Sequence, residues 1–454
     1  MLDRLLLLCD MLRAFVWGPP MLVLLAGTGV YFTLQTRLFQ IRCAPFWLRR
    51  TLFSCFSGRA RRKADKNAVS PFAVMCTALA ATVGTGNIAG VAAALTAGGP
   101  GAVFWMWVSA FFGMMTGFAE NTLGMLYRER GADGAWRGGP MLYLKNGLHS
   151  PLLAGAFALF CMLASFGMGN MSQCNAIAEG IGSVFGVPPL VTGLCTAGLL
   201  GCAMLGGLRR ISRVTEALVP FMAVFYLGGA LTVLFVHREA LLPALRLIVS
   251  EAFCLRAGAG GVLGYGVMQA VRTGVARGVF SNEAGLGSSV MVHAAADASE
   301  PCGQGMWAVF EVFFDTIVMC TITALVILCS GVYQGAGGLT GARLTAAAFS
   351  TVFGRPGGSF VALSLVLFAF STLPGWSYYG QRAAEYLLGA WSAPVYRVLF
   401  IAAAAAGCMM RLDLVWAVSD VFNGLMALPN LAGVLALRRE ILAEWQHFCR
   451  ANHL

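Results

Sequence analysis

The chain has 454 residues, of which 58% are hydrophobic and only 11% charged, and its mean hydropathy is +0.74. A soluble chain of this size carries about a quarter charged residues, so composition excludes a soluble domain and predicts a polytopic membrane protein with short aqueous loops. The net charge of +11 would point to nucleic acid in a soluble protein; here it fits cytoplasmic loops enriched in lysine and arginine.

The first residues, MLDRLLLLCDMLRAF, are too short and too charged for a cleaved signal peptide and read as a short amphipathic helix. Apolar stretches of about 20 residues then predict eleven spans. They fall at about 17–37, 71–96, 100–127, 152–183, 188–207, 215–237, 259–297 (broken), 306–333, 357–381, 395–411 and 413–437. Region 238–280 is ambiguous, because Arg272 and Arg277 lie just before the second break; it has room for an external surface helix, with the span starting near 270. Segment 38–70 carries Arg42, Arg49, Arg50, Arg59, Arg61, Arg62, Lys63 and Lys66 against Asp65, which places it in the cytoplasm. The N-terminus is then outside and the C-terminus inside. Fourteen cysteines are scattered without a C-x-x-C pair or zinc spacing, as expected for thiols packed as small hydrophobes. Phosphate-loop, His-Glu-x-x-His and Gly-x-Ser-x-Gly motifs are absent, so no common catalytic signature is present and no enzyme is expected.

Two polar, glycine-rich interruptions lie inside apolar spans: Gly84-Thr85-Gly86-Asn87, and Ser281-Asn282-Glu283-Ala284-Gly285-Leu286-Gly287. Unwound backbone at membrane depth is tolerated only where it lines a cavity or is buried in protein. With the first span set aside, ten remain, and the breaks fall in the first and sixth. That is the pattern of two inverted five-helix repeats, with a binding site built from broken helices. If the first break unwinds, the half-helix beyond it offers N–H groups to a carboxylate, and the half-helix ending at Val83 offers carbonyls to a cation. Close packing through small residues is the competing explanation.

Glu283 is an acid inside a span, and three roles compete for it: cation ligand or proton carrier, salt-bridge partner of Arg277 or Arg272, or a hydrogen-bonding lock on the break. In the third core span Asn170 and Gln173, three residues apart, can share a face for ligand contact or interhelical bonding. In the eighth, the Ser371 and Thr372 hydroxyls suit a hard monovalent cation or back-bond to their own helix, and Trp376 lies on the face of Thr372. Glu120, Glu216, Glu311, Asp315 and Asp420 read mostly as structural acids bonded to hydroxyls or backbone.

The stretches TVGTGNIAGVAAALTAGGPGAVFWMWVSAFFG (82–113), GGPMLYLKNGL (138–148), GVARGVFSNEAGLGSS (274–289), VFFDTIVMCTITALVILCSG (312–331) and GLMALPN (424–430) resemble the alanine/glycine:cation symporter family, in order and from about residue 16 to 440. The resemblance implies a LeuT-type fold and import of small neutral amino acids with sodium. It divides the chain into an N-terminal helix, extra span and basic loop (1–70), a ten-helix core (71–440) and a cytoplasmic tail (441–454). It implies that Thr85, Gly86 and Asn87 bind the substrate carboxylate. Gln173 would meet the substrate's polar groups, Phe280 and Asn282 would help shape the pocket, and Thr372 and Trp376 would close it. By analogy with the LeuT-type sodium site, the carbonyls of Ala80 and Val83 join the hydroxyls of Ser371 and Thr372. Glu283 and Glu120 are structural or gating candidates. The chain departs from the family pattern at Gly117, Pro374 and Gln381.

The expectation is therefore a sodium-coupled alanine or glycine symporter in a bacterial inner membrane, with no cofactor beyond the coupling ion, membrane lipid around it and no nucleic-acid partner. A proton-coupled permease with Glu283 or Glu120 as carrier is the alternative. A channel or receptor on the same fold is a third reading, the receptor being weak since no extramembrane signalling domain is expected.

Overall fold

The computed structural model describes residues 9, 11–12, 14–61, 65, 67–131, 134–253, 265–335, 338–410 and 413–454. Most of the N-terminal amphipathic segment, along with Arg62, Lys63 and Lys66, lies outside them. The longer helices are α1 (Pro19–Gln35), α2 (Pro71–Thr82), α3 (Gly86–Gly98), α4 (Gly101–Leu126), α5 (Pro151–Phe185) and α6 (Pro189–Met204). There follow α7 (Gly207–Val236), α8 (Leu241–Ala252), α9 (Tyr265–Asn282), the single turn α10 (Val290–His293), α11 (Pro301–Cys329) and α12 (Gly341–Phe353). The chain ends with α13 (Arg355–Leu388), α14 (Ser392–Met409), α15 (Asp413–Ala436) and α16 (Arg438–Asn452).

Local chemistry sets several of these boundaries. Proline stands in the first turn of α1, α2, α5, α6 and α11, where its missing N–H costs nothing. Ser70 and Ser150 cap α2 and α5 through their hydroxyls, which accept from the N–H groups of Ala73 and Leu153. Gly186 ends α5 in the left-handed region at φ 65°.

The chain is a helical, multi-pass membrane protein. Among the described residues eight helices are long and apolar enough to cross a membrane, or nine if α2 and α3 are one bent span. This is fewer than the eleven expected, for two physical reasons. Helix α6 is apolar but has only 16 residues. The expected span 259–297 is divided: α9 carries Arg272 and Arg277, α10 is a single turn, and the start of the stretch lies outside the described residues. The ambiguous region 238–280 contains the separate helix α8, and the helix entering the second break begins at Tyr265.

Helix α4 packs against α9 and α11, α5 against α13 and α15, and α2 against α7 and α13. The α2–α13 contact is close because Gly375 has no side chain: a Cβ there would stand 2.9 Å from Ala81 Cβ. Three π-helical turns interrupt the interior, at Gly86–Gly90, Gly167–Met171 and Phe313–Cys320, and all three lie beside the breaks or the residues facing them. At the end of the molecule that holds the basic loop, Trp445 of α16 packs on Phe39 and Phe118 at ring-centroid distances of 4.8 and 5.6 Å.

Candidate substrate and cation site

At the first break α2 stops at Thr82 and α3 resumes at Gly86, with a bend of 50° between them. Gly84 N–H donates to Asn87 Oδ1 at 2.9 Å, so the Asn87 side chain caps the break itself. Its Nδ2 donates outward, to Asp315 Oδ1 at 2.7 Å, to the Asp315 carbonyl at 3.1 Å and to Ser281 Oγ at 3.1 Å. The small residue at Gly84 leaves room for two side chains. A Cβ there would lie 2.8 Å from Thr372 Oγ1 and 3.7 Å from Gln173 Oε1.

Alongside α2, Ser371 Oγ lies 3.4 Å from the Ala80 carbonyl and 2.8 Å from that of Phe368. Thr372 Oγ1 donates to the Phe368 carbonyl at 3.0 Å. Val83 closes the half-helix with its N–H on the Leu79 carbonyl at 2.8 Å. Carbonyls at a helix end beside two buried hydroxyls make an all-oxygen, uncharged donor set, which fits a hard monovalent cation better than a soft metal. Among the described residues no group of three or more His, Cys, Asp or Glu side chains could hold a metal ion.

The second break is longer and more heavily held. Glu283, Gly285 and Gly287 have φ of 56°, 92° and 76°. Glycine adopts this region freely, but at Glu283 it costs roughly 1–2 kcal/mol. Hydrogen bonds offset that cost. Glu283 accepts from Ser288 Oγ and, at 2.9 Å, from Trp376 Nε1. Both bonds come from neutral donors. Trp376 reaches it because Gly169 has no side chain; a Cβ there would stand 2.4 Å from the Trp376 Cβ. Arg277 instead lies over the Phe280 ring at 5.6 Å. Glu120 holds the same loop from α4. Its Oε1 accepts from Gly285 N–H at 3.2 Å and its Oε2 from Asn430 Nδ2 at 2.6 Å, and Tyr143 OH donates to Asn430 Oδ1.

Asp315 joins the two breaks. Besides Asn87 it accepts from Ser281 Oγ at 2.7 Å and from Thr316 Oγ1 at 2.9 Å. Asn282 donates to Thr316 at 3.0 Å and accepts from Ala284 N–H at 3.0 Å. The sequence marked Asp315 only as a structural acid; its place as the hub follows from the π turn Phe313–Cys320, which sets it toward both breaks.

A cavity of about 1020 Å³ opens beside the first break. Thr85 and Gly86 of the break line it together with Phe280, Arg277, Thr340 and Arg343. The site residues named from sequence thus separate into groups. Thr85, Gly86 and Phe280 face the cavity. Ala80, Val83, Ser371 and Thr372 cluster behind Gly84 with Gln173. Asn87, Asn282, Trp376, Glu283 and Glu120 spend their polar atoms holding the breaks in shape. Asn170 and Gln173 do not act together: Asn170 donates to the Phe400 carbonyl at 2.7 Å, while Gln173 turns toward Gly84, because the π turn Gly167–Met171 shifts the helical register. Gln173 Oε1 is buried without a hydrogen-bond partner among the described residues.

The segment that follows α10 is tied to the residue before the α2 cap. Val69 N–H donates to the Ala295 carbonyl at 3.1 Å and Asp297 N–H to the Val69 carbonyl at 2.8 Å. Arg128 clamps the same segment through the carbonyls of Ala294, Ala296 and Ala298 at 3.3, 2.8 and 2.7 Å.

The chain is similar to curated transporters over nearly its whole length. A "Sodium/alanine symporter AgcS" from Methanococcus maripaludis is 44% identical over 447 residues, covering 97% of this chain and 96% of its own. A "Probable sodium/glutamine symporter GlnT" from Bacillus subtilis is 38% identical, covering 96% and 89%. A solved Na+-coupled sialic acid symporter aligns over 90% of this chain and 82% of its own at 13% identity and a TM-score of 0.49, a likeness too slight to carry an argument. The profile of the sodium:alanine symporter family matches residues 3–453, and the chain belongs to that family.

Proposed function

We propose that this protein is a sodium-coupled symporter that imports a small neutral amino acid, alanine or glycine, by alternating access. One observation carries the reading: the Ser371 and Thr372 hydroxyls meet the end of α2 at Ala80 and Gly84, next in the chain to Thr85 and Gly86, which line a cavity with Phe280. Sodium at the carbonyls of Ala80 and Val83 and the two hydroxyls would lie beside the substrate carboxylate at the opening of α3. Binding of each would then favour the other. Family membership and the 44% identical sodium/alanine symporter support the ion and the substrate class. The relative named for glutamine leaves the size of the side chain to be measured.

The frame of this reading is a LeuT-type five-plus-five inverted repeat over 71–440, preceded by an extra span and a basic loop (1–70) and followed by a tail (441–454). The membrane is the bacterial inner membrane, with the N-terminus outside and the C-terminus in the cytoplasm. In that orientation the cavity opens outward and the Val69–Arg128 clamp closes the inside. Each net positive charge carried inward contributes about 2.3 kcal/mol per 100 mV of membrane potential. Glu283 and Glu120 fit poorly as proton carriers, because both oxygens of each already accept hydrogen bonds.

The test is competition uptake in proteoliposomes with a panel of small amino acids, with and without an inward sodium gradient. Sodium-driven uptake that alanine and glycine compete for most strongly is expected. Uptake that ignores sodium would remove the coupling ion, and competition led by large side chains would remove the substrate class.

A further inference from the structure

A buried hydrogen-bonded set lies next to the second break and takes no part in the site above. His293 ends α10, and Gln304 and Glu311 lie two turns apart on α11. His293 Nε2 is 3.1 Å from Glu311 Oε2, and Gln304 Nε2 is 2.6 Å from His293 Nδ1. His293 and Gln304 are fully buried and Glu311 is 2% exposed. Glu311 Oε1 and Gln304 Oε1 are buried without hydrogen-bond partners among the described residues.

These bonds define a proton inventory. While Gln304 donates to Nδ1, the imidazole proton sits on Nε2 and faces an ionised Glu311. That state places a net negative charge in a dry site with one carboxylate oxygen bare, which is costly. One further proton cancels the charge. Two positions can hold it: the bare Oε1 of Glu311, or Nδ1 once the Gln304 amide turns over and presents its own unpaired oxygen.

The neighbouring acids are already satisfied. Glu120 on α4, Glu283 after α9 and Asp315 on α11 all lie within electrostatic range of Glu311, as does Tyr379 on α13. Each of these three carboxylates accepts hydrogen bonds on both oxygens. Helix α2, which packs on both α10 and α11, carries Cys76 as its one titratable side chain. The charged ends of Ala44–Arg50 and α16 meet α11 near its start, where Arg50 pairs with Glu300 at 2.7 Å. Glu311 is thus the one buried carboxylate among the described residues with an oxygen still open.

The set also spans a mechanical joint. His293 is followed at once by the turn segment 294–298, which hydrogen bonds to Val69 and Arg128 hold. Glu311 and Gln304 belong to the scaffold helix. A change in the His293–Glu311 bond therefore acts on the segment that must release for the inner side to open.

We propose that His293 and Glu311 form a proton-binding site, with Gln304 as the amide that adapts to its occupancy, and that a proton there is linked to release of the segment 294–298. The link to the cycle rests on the transport reading; the site itself does not. The experiment has two arms on the full-length protein. Infrared difference spectra across pH should show a carboxylic-acid band lost in Glu311→Gln or an imidazolium band lost in His293→Gln, displaced in either case by the milder Gln304→Leu. Spectra in which no pH-dependent band distinguishes the wild type from these variants overturn the site. In proteoliposomes at a fixed sodium gradient, uptake by the wild type should vary with pH, and Glu311→Gln should lose that variation while retaining sodium-driven uptake. An unchanged pH profile in folded Glu311→Gln overturns the link. A titrating band in a protein without sodium-driven uptake refutes the transport reading and leaves the site standing.

Discussion

The first break occupies the few residues between Thr82 and Gly86 and leaves one side facing a cavity, whereas the second runs from Glu283 to Ser289 and is enclosed by Glu120, Asn430, Ser288 and Trp376. Both use glycine to open the backbone. They differ in what satisfies the freed groups. The first is capped by a single side chain, Asn87, and keeps Thr85 and Gly86 toward open space. The second spends two carboxylates, an asparagine and a tryptophan on its own shape. The second break is the more heavily hydrogen-bonded of the two. Asp315 links it to the first through Ser281 and Asn87.

The comparison breaks most completely at Asp315. Three donors point at its carboxylate, and hydrogen bonds to a charged group contribute about 1.5–3 kcal/mol each. Asp315→Ala should therefore abolish uptake and lower the thermal unfolding midpoint sharply, with Asp315→Asn between it and the wild type. Normal uptake by a folded Asp315→Ala protein would mean that the breaks are not coupled through this residue.

Gly84→Ala comes next. The added methyl would sit 2.8 Å from Thr372 Oγ1, against the proposed cation and carboxylate positions. Half-saturation for sodium should rise by about tenfold or more, equivalent to about 1.4 kcal/mol. An unchanged sodium dependence would move the cation site elsewhere.

The tryptophan lock gives a smaller, divided effect. Trp376→Phe removes one donor from a buried carboxylate and should cost about 1–3 kcal/mol of stability. Glu283→Gln still offers an acceptor to Trp376, so reduced but sodium-driven uptake is expected. Complete loss of concentrative uptake in a stable Glu283→Gln protein would favour a carrier role over a lock.

Gln173→Leu should be the mildest for the fold. It removes a single bond, Nε2 to the Met168 carbonyl at 3.1 Å, worth about 1 kcal/mol. Its unpaired Oε1 faces the site, so the half-saturation for alanine should rise more than the unfolding midpoint falls. The reverse pattern would make Gln173 a packing residue.

Much of this was legible in the sequence because it is local. Proline and serine at helix starts, the apolar runs and both glycine-rich breaks need only short-range chemistry. What escaped depends on geometry that spacing does not encode. The bond from Trp376 to Glu283 joins residues 93 positions apart. The π turn at Gly167–Met171 separated Asn170 from Gln173, although three-residue spacing placed them on one face. Asp315 stood in a quoted motif, yet its partners lie on two other elements. His293 and Glu311 are joined across a non-helical link, so no periodicity paired them.

The account rests on a sodium site formed where α2 ends beside Ser371 and Thr372. Its most direct test is initial alanine uptake into proteoliposomes as a function of external sodium, for the wild type and for the double variant Ser371→Ala/Thr372→Val. The account predicts that uptake in the wild type rises with sodium and that the variant, still binding alanine, loses that dependence. Identical sodium curves for the two proteins would contradict it.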